Sequence, residues 1–298
     1  MTKGLDWERD GKDWPNHGAS RFVEAGGYRW HVQRTGAGPQ MLLLHGTGAS
    51  THSWAGLLPL LARGFEVLAM DLPGHAFTGM YRGSDLSVAG MTRALQDLLQ
   101  AETFRPVVLV GHSAGAAIAI TLANKQARQA ARIVGLNAAL VPFSGSMNWV
   151  APLAAKAMAL NPLIVNGLSQ SARDLRRIRR LIRATGSDPP EMYLGYYQRL
   201  FRSPQHVRGT LMMMANWKLG GLLDSLEASG LEAHLLAGEK DGAVPAAVSL
   251  ALASRYAHIT AETLPGLGHL AHEEEPDRIA VSIRNAVDAP MPHERAAS

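Results

Sequence analysis

At 298 residues, 47% hydrophobic and 18% charged, the chain has the composition of a folded globular protein with a sizeable core, and disorder is excluded. A net charge of +4 over that length gives no field of the kind that implies nucleic acid, so no nucleic-acid partner is expected. The absence of cysteine removes disulfides, thiolate metal sites and cysteine nucleophiles together, and it fits a cytoplasmic protein.

Met1 to Asn16 is polar and charged with no apolar stretch ahead of a cleavage site, so no secretory leader is expected, and residues 1–19 read as a tail. No run along the chain reaches the roughly 18 apolar residues that span a bilayer. Phe22–Ala25 and Tyr28–Gln33, parted by Gly26-Gly27, predict a hairpin at the antiparallel edge of a mixed sheet. Short apolar runs at Met41–Leu44, Phe65–Met70, Val107–Val110 and Ile133–Leu136 suit strands buried on both faces. Helical patterns lie between them at Trp54–Ala62, Val88–Gln100 and Ala114–Gln126. Alternating strands and helices imply a parallel sheet with right-handed crossovers.

The rhythm breaks where Pro142, Pro152, Pro162, Pro189, Pro190 and Pro204 punctuate helical pieces, which predicts a helical cap over 140–216. It resumes with strands at His234–Ala237 and Ile259–Leu264 and helices at Ala246–Tyr256 and Pro276–Val287. The expected organisation is a core in two parts, 20–139 and 217–288, split around that cap, with a second tail at 289–298.

The chemistry concentrates where the Val107–Val110 strand runs into Gly111-His112-Ser113-Ala114-Gly115 and then an Ala-rich helix. Gly-x-Ser-x-Gly between a strand and a helix is a specific signal, because a serine on so sharp a turn needs small neighbours two positions away. A serine hydroxyl is no nucleophile by itself and requires a histidine and an acid. Asp241 follows one late strand in Gly238-Glu239-Lys240-Asp241-Gly242, and His269 follows another in Pro265-Gly266-Leu267-Gly268-His269. Loops at the C-terminal edge of a parallel sheet converge on one crevice, so Ser113, Asp241 and His269 are the expected nucleophile, acid and base. The oxyanion donors are expected to be the backbone N–H groups of Thr47, in His45-Gly46-Thr47-Gly48, and of Ala114.

From about Phe22 to Val287 the chain resembles the α/β-hydrolase family, on His45-Gly46, Asp71-Leu72-Pro73-Gly74-His75, Gly111-x-Ser113-x-Gly115, Asp241 and His269 in register. The resemblance implies an α/β-hydrolase fold: a mostly parallel eight-stranded sheet flanked by helices, with a helical lid. Within it the chain is similar to the magnesium chelatase accessory group of bacteriochlorophyll biosynthesis, through Trp7-Glu8-Arg9-Asp10-Gly11, Trp30-His31-Val32-Gln33-Arg34, Thr51-His52-Ser53-Trp54, Met213-Met214-Ala215-Asn216-Trp217 and His269-Leu270-Ala271-His272-Glu273. That likeness implies a hydrophobic or porphyrin-like ligand, magnesium chelatase subunits as partners, and a place at the periphery of a photosynthetic membrane. One departure stands out: the loop after His75 continues with Ala76 where the family usually has glycine, so a positive φ there would be strained.

Each assignment has a blander alternative. Asp241-Gly242 is also a common turn pair, His272 competes with His269 as base, and both histidines could be surface groups. Of these, His269 on its glycine-flanked loop is preferred, and His272 with Glu273–Glu275 reads as a helix-start or surface group. His45 reads as support for the oxyanion loop, beside Gly46 at the pocket, and His112 as either lining the pocket or packing beneath it. Asn137, after the Ile133–Leu136 strand, leaves the alternative acid position empty. No histidine pair has metal-site spacing, and neither metal nor cofactor is expected. Ser171–Thr185 predicts a basic amphipathic helix, with Arg173, Arg176, Arg177 and Arg180 opposite Leu175, Ile178, Leu181 and Ile182. It is a solvated lid face, a patch for anionic lipid, or a reader of ligand carboxylates. Leu211-Met212-Met213-Met214 reads as lid-to-core packing.

These readings leave two functions: a serine hydrolase acting on an ester-type bond, and a porphyrin-holding module that keeps the triad unused. Dehalogenase and epoxide hydrolase chemistry need an aspartate nucleophile and are disfavoured by Ser113.

Overall fold

The structure is a computed structural model that describes residues 4–81, 83–125, 132–142 and 147–288. Eight strands form one sheet: β1 (Ser20–Ala25), β2 (Tyr28–Thr35), β3 (Gln40–Leu44), β4 (Glu66–Met70), β5 (Val108–His112), β6 (Arg132–Leu136), β7 (Ala233–Gly238) and β8 (Ile259–Leu264). Their spatial order is β1-β2-β4-β3-β5-β6-β7-β8. β1 and β2 form the hairpin, β2 pairs antiparallel with β4, and every pairing from β4 to β8 is parallel.

The period of two sorts each central strand between two cores. Leu42 and Leu44 of β3, with Leu68 and Met70 of β4, face the helices Val88–Ala101 and Ala114–Lys125. Met41 and Leu43, with Val67 and Ala69, face Trp54, the helix Leu57–Leu61 and the helix Pro276–Asp288. Apolar runs without polar alternation are therefore what a sheet covered on both sides requires. The predicted helix over Trp54–Ala62 is divided, with a 3₁₀ turn at Thr51–Trp54 ahead of Leu57–Leu61.

The chain leaves β3 towards β4 on one side and returns to β5 on the other, so the loops after β3 and β5 flank the switch point where open α/β sheets bind ligands. Between β6 and β7 the described chain is helical, at Met147–Leu160, Pro162–Ser171, Leu175–Arg183, Glu191–Phe201, Pro204–Ala215 and Leu222–Ser229. The last of these packs on the Ala114–Lys125 helix.

Residues 4–19, expected as a tail, instead form part of the packed body. Trp14 is buried with Phe77, Ile178, Tyr193 and Leu270, and its indole N–H donates to Thr51 Oγ1 at 3.0 Å. Trp7 lies edge-on to Phe77 at 4.9 Å, and Arg199 of the cap pairs with Asp13 at 2.6 Å. The segment is polar and charged overall, and its two tryptophans, Trp14 inside the cluster and Trp7 packed against it, supply the apolar contacts that dock it. The expected tail at 289–298 lies outside the described residues, as does Gln126 at the end of the predicted Ala114–Gln126 helix.

Candidate active site

Ser113 stands at the corner between β5 and the Ala114–Lys125 helix with φ 50, the left-handed conformation that a side chain adopts only where its surroundings impose it. Those surroundings are tight. A Cβ at Gly115 would collide with the Leu44 carbonyl, one at Gly111 with Ala116, and one at Gly46 would lie 2.8 Å from His112 Nδ1 and 3.0 Å from Ser113 Cβ. The loop after β3 thus closes directly on the serine.

Asp241 is buried, and its carboxylate accepts four hydrogen bonds: from Ala243 N at 2.7 Å and Val244 N at 2.8 Å on Oδ1, and from Asn137 Nδ2 and His269 Nδ1, both at 2.7 Å, on Oδ2. With Nδ1–H committed to the carboxylate, the Nε2 of a neutral His269 carries the lone pair, which is the tautomer of a general base. No hydrogen bond joins Ser113 Oγ to His269 among the described residues, so the Asp241–His269 pair is formed and the approach of Ser113 to His269 is open. Such bonds are often long before a substrate is bound.

The Thr47 and Ala114 N–H groups make no hydrogen bond to another described residue. His45, fully buried, shapes the loop that carries Thr47: Nδ1–H donates to Gly46 O at 2.8 Å while Nε2 accepts from Leu72 N at 2.9 Å. Burial lowers its pKa and keeps it neutral. Of the two places weighed for His112, the structure favours packing beneath the site. It is buried, donates Nε2–H to the His269 carbonyl at 2.9 Å, and stacks obliquely on His269 and His272 at 4.8 and 4.5 Å.

His272, read from sequence as a helix-start or surface group, does begin the short helix Ala271–Glu274 but has no solvent exposure. Its Nε2 meets Ser53 Oγ at 2.9 Å, and burial drives its pKa down to about 3. Glu273 beside it is equally buried, bonded to Ser53 Oγ and to Tyr197 OH at 2.7 Å. Burial pushes its carboxyl up to about 8 although both hydroxyls oppose the shift. Apolar spacing around Ala271 gave no sign of this, because the burial is supplied by the cap tyrosine and by Trp54.

Several working parts had no sequence signal. Asn137, read from sequence only as leaving the alternative acid position empty, has φ 48 and donates its side-chain amide to Asp241 at 2.7 Å. His206 of the cap accepts from Ala76 N at 3.0 Å on Nδ1 and donates Nε2–H to Gly48 O at 3.1 Å, bridging two loops at the sheet edge. Ala76 does adopt a positive φ of 42, and the His206 bond helps hold it there. The segment after the basic helix clamps the other side: Thr185 O accepts from Gly242 N at 3.0 Å and His269 N at 3.3 Å, and Ser187 Oγ accepts from Leu270 N at 2.8 Å. Met213 is buried in the core and its sulfur lies 3.4 Å from Thr47 Oγ1, which places the Pro204–Ala215 helix over the loop that carries Thr47.

A family model described as the alpha/beta hydrolase family matches residues 41–281, a span that contains Ser113, Asp241 and His269. The chain belongs to the alpha/beta hydrolase family. Among the relatives of this family member is the "Magnesium-chelatase 30 kDa subunit" of Rhodobacter capsulatus, 36% identical over 273 residues, covering 91% of this chain and 95% of that protein. A pimeloyl acyl-carrier-protein methyl ester esterase of Methylococcus capsulatus is 27% identical over 83% of this chain and 95% of its own. An alpha/beta hydrolase fold protein from Burkholderia ambifaria superposes with a TM-score of 0.73 over 95% of this chain and 99% of that one, at 21% identity, and so shares the fold. Among the described residues no helix of this hydrolase-family chain is long and apolar enough to cross a membrane, and no group of three or more His, Asp and Glu side chains is placed to hold a metal ion.

Proposed function

We propose that this protein is a serine hydrolase that cleaves an ester or related acyl bond in a hydrophobic, tetrapyrrole-class molecule, as an accessory to magnesium insertion in bacteriochlorophyll biosynthesis. The observation that carries the chemical half is Ser113, held at positive φ on the strand-to-helix corner beside a His269–Asp241 pair already closed at 2.7 Å. Ser113 Oγ attacks the carbonyl carbon while His269 Nε2 takes its proton, and Asp241 stabilises the resulting imidazolium. The Thr47 and Ala114 N–H groups receive the oxyanion. As the tetrahedral intermediate collapses, His269 returns the proton to the leaving alcohol. Water then attacks the acyl-enzyme by the same route and releases the acid. The pathway half rests on the likeness to the chelatase subunit of Rhodobacter capsulatus, and it brings chelatase subunits in as partners.

Ser113→Ala is expected to lower hydrolysis of a p-nitrophenyl ester at least about a thousandfold and to abolish labelling by a fluorophosphonate. A wild-type protein that is never labelled, or a variant that hydrolyses normally, overturns the catalytic reading. A second reading, a porphyrin holder for the chelatase that leaves the serine unused, draws on the open Ser113–His269 gap. It is favoured if Ser113→Ala binds porphyrin as tightly as wild type and supports normal pigment formation.

A further inference from the structure

Three consecutive cap helices leave apolar and basic side chains facing water. On Met147–Leu160 the exposed positions Val150, Leu153, Ala157 and Leu160 form a single stripe at helical spacing, while Ala155 and Ala159 face inward. Leu153 is 68% exposed, and Leu163 on the next helix, Pro162–Ser171, is 81% exposed, with Ile164 and Leu168 beside it. The first helix packs on both Pro162–Ser171 and Pro204–Ala215, so its outer stripe has no partner among the described residues. Folded monomers rarely leave so many large aliphatic side chains uncovered together.

The basic helix Leu175–Arg183 follows after a three-residue connection. Its buried side is Ile178 and Ile182, which pack in the cluster under the cap, whereas Leu181, expected on that side, is exposed. Arg173, Arg177, Arg180 and Ala184 make an outward stripe, and a shallow concavity is lined by Asp174, Arg176, Arg177, Arg180, Leu181 and Ala184. Arg179 and Arg183 are paired to Glu191 and Asp188, and Arg176 to its own helix cap Asp174. Arg173, Arg177 and Arg180 have no ion pair among the described residues. Residues 147–187 hold seven basic side chains against one acid, Asp174, and so carry +6; the remaining 22 basic and 24 acidic residues carry −2. Counting the partner acids Asp188 and Glu191 as well, residues 147–191 carry +4 and the rest of the chain is neutral, so the net positive charge lies on and beside the elements that expose the aliphatic side chains.

We propose that this cap face docks on an anionic lipid bilayer, with Val150, Leu153, Leu160 and Leu163 entering the headgroup boundary and Arg173, Arg176, Arg177 and Arg180 meeting lipid phosphates. Aliphatic insertion beside exposed arginines, of which Arg173, Arg177 and Arg180 have no ion pair among the described residues, is the chemistry of an interfacial helix surface. A protein partner is the weaker occupant, since Val150, Leu153, Leu160, Leu163, Ile164 and Leu168 are all aliphatic, without the aromatic anchors that concentrate binding energy at protein interfaces. The face touches none of Ser113, Asp241 and His269, so the inference stands or falls apart from the catalytic reading.

The test is sedimentation of the full chain with vesicles of phosphatidylcholine alone or mixed with phosphatidylglycerol. Wild type is expected to sediment with the mixed vesicles only, and to be released by high salt. Arg176→Gln, Arg177→Gln and Arg180→Gln together are expected to weaken partitioning about a hundredfold. Leu153→Ser with Leu163→Ser, both at open surface positions that leave folding intact, is expected to weaken it about tenfold or more. Reporter-ester hydrolysis in vesicle-free buffer should be the same for all of them. Wild type that stays in the supernatant with both vesicle types, or a triple variant that partitions like wild type, overturns the proposal and leaves the face to a protein partner.

Discussion

At the scale of the residue, the carboxylate of Asp241 is held by its neighbours. Asp241 takes four hydrogen bonds, and the one from Asn137 shares Oδ2 with the bond to His269, so the asparagine fixes the oxygen that orients the imidazole. Asn137 also tolerates its φ of 48 better than most side chains, having a short polar group that bonds locally. Asn137→Gly removes the amide without adding backbone strain. It is expected to cost about 1–2 kcal/mol of stability and to lower reporter-ester turnover about tenfold, read by denaturant titration and steady-state kinetics. Unchanged turnover would mean that Asp241 is oriented by its backbone donors alone. Asn137 was visible in the sequence only as the wrong residue for an acid; its role follows from β6 lying next to β7, which no local pattern records.

Elements are coupled here through backbone approach. Gly186, at φ 79, follows the basic helix and lies against the loop that carries Asp241, where a Cβ would collide with the Lys240 carbonyl, and a Cβ at Gly268, next to His269, would collide with the Gly186 carbonyl. The cap is thereby clamped to both loops that carry Asp241 and His269. Gly186→Ala is expected to destabilise by about 2–4 kcal/mol, combining the left-handed backbone with overpacking, and to lower the melting temperature by several degrees. Gly167, in the Pro162–Ser171 helix with open space around it, provides the contrast: Gly167→Ala is expected to stabilise by about 0.5–1 kcal/mol. Equal effects at the two positions would show that the clamp contributes nothing. Helices and strands were legible from apolar period, whereas this clamp was not, because it is made of a carbonyl, an amide and the absence of a side chain.

For the whole molecule, opposing buried groups set the pH of greatest stability. Burial lowers His272 to about 3 and His206 to about 4, so below the ordinary histidine range the unfolded chain binds protons that the native state cannot. Stability then falls as pH drops from about 6.5 towards 4. Glu273 works the other way: burial raises it to about 8 from the ordinary carboxyl value of 4.5, the native state holds the extra proton between those values, and stability is lost as pH rises through them. The two slopes cross to give a maximum near pH 6.5. Glu273→Gln, which copies the protonated carboxyl, is expected to match wild type near pH 4.5 and to exceed it by up to about 4 kcal/mol at pH 8 in denaturant melts. A difference between the two proteins that does not grow with pH would place Glu273 in an ionised state.

Consecutive residues were enough to read the mostly parallel sheet, the chain order Ser113, Asp241, His269 on loops at one sheet edge, and the corner on which Ser113 stands, because apolar period and glycine placement are local physical demands. Packing between distant segments settled the rest: Trp7 and Trp14 belong to the packed body, His272 and Glu273 are buried, His206 and Thr185 tie the helices between β6 and β7 to the loops at the sheet edge, and Leu181 faces water. Each of those outcomes depends on what a distant segment brings to the same point in space: solvent exclusion and hydrogen-bond partnership are properties of neighbours that the chain acquires only on folding.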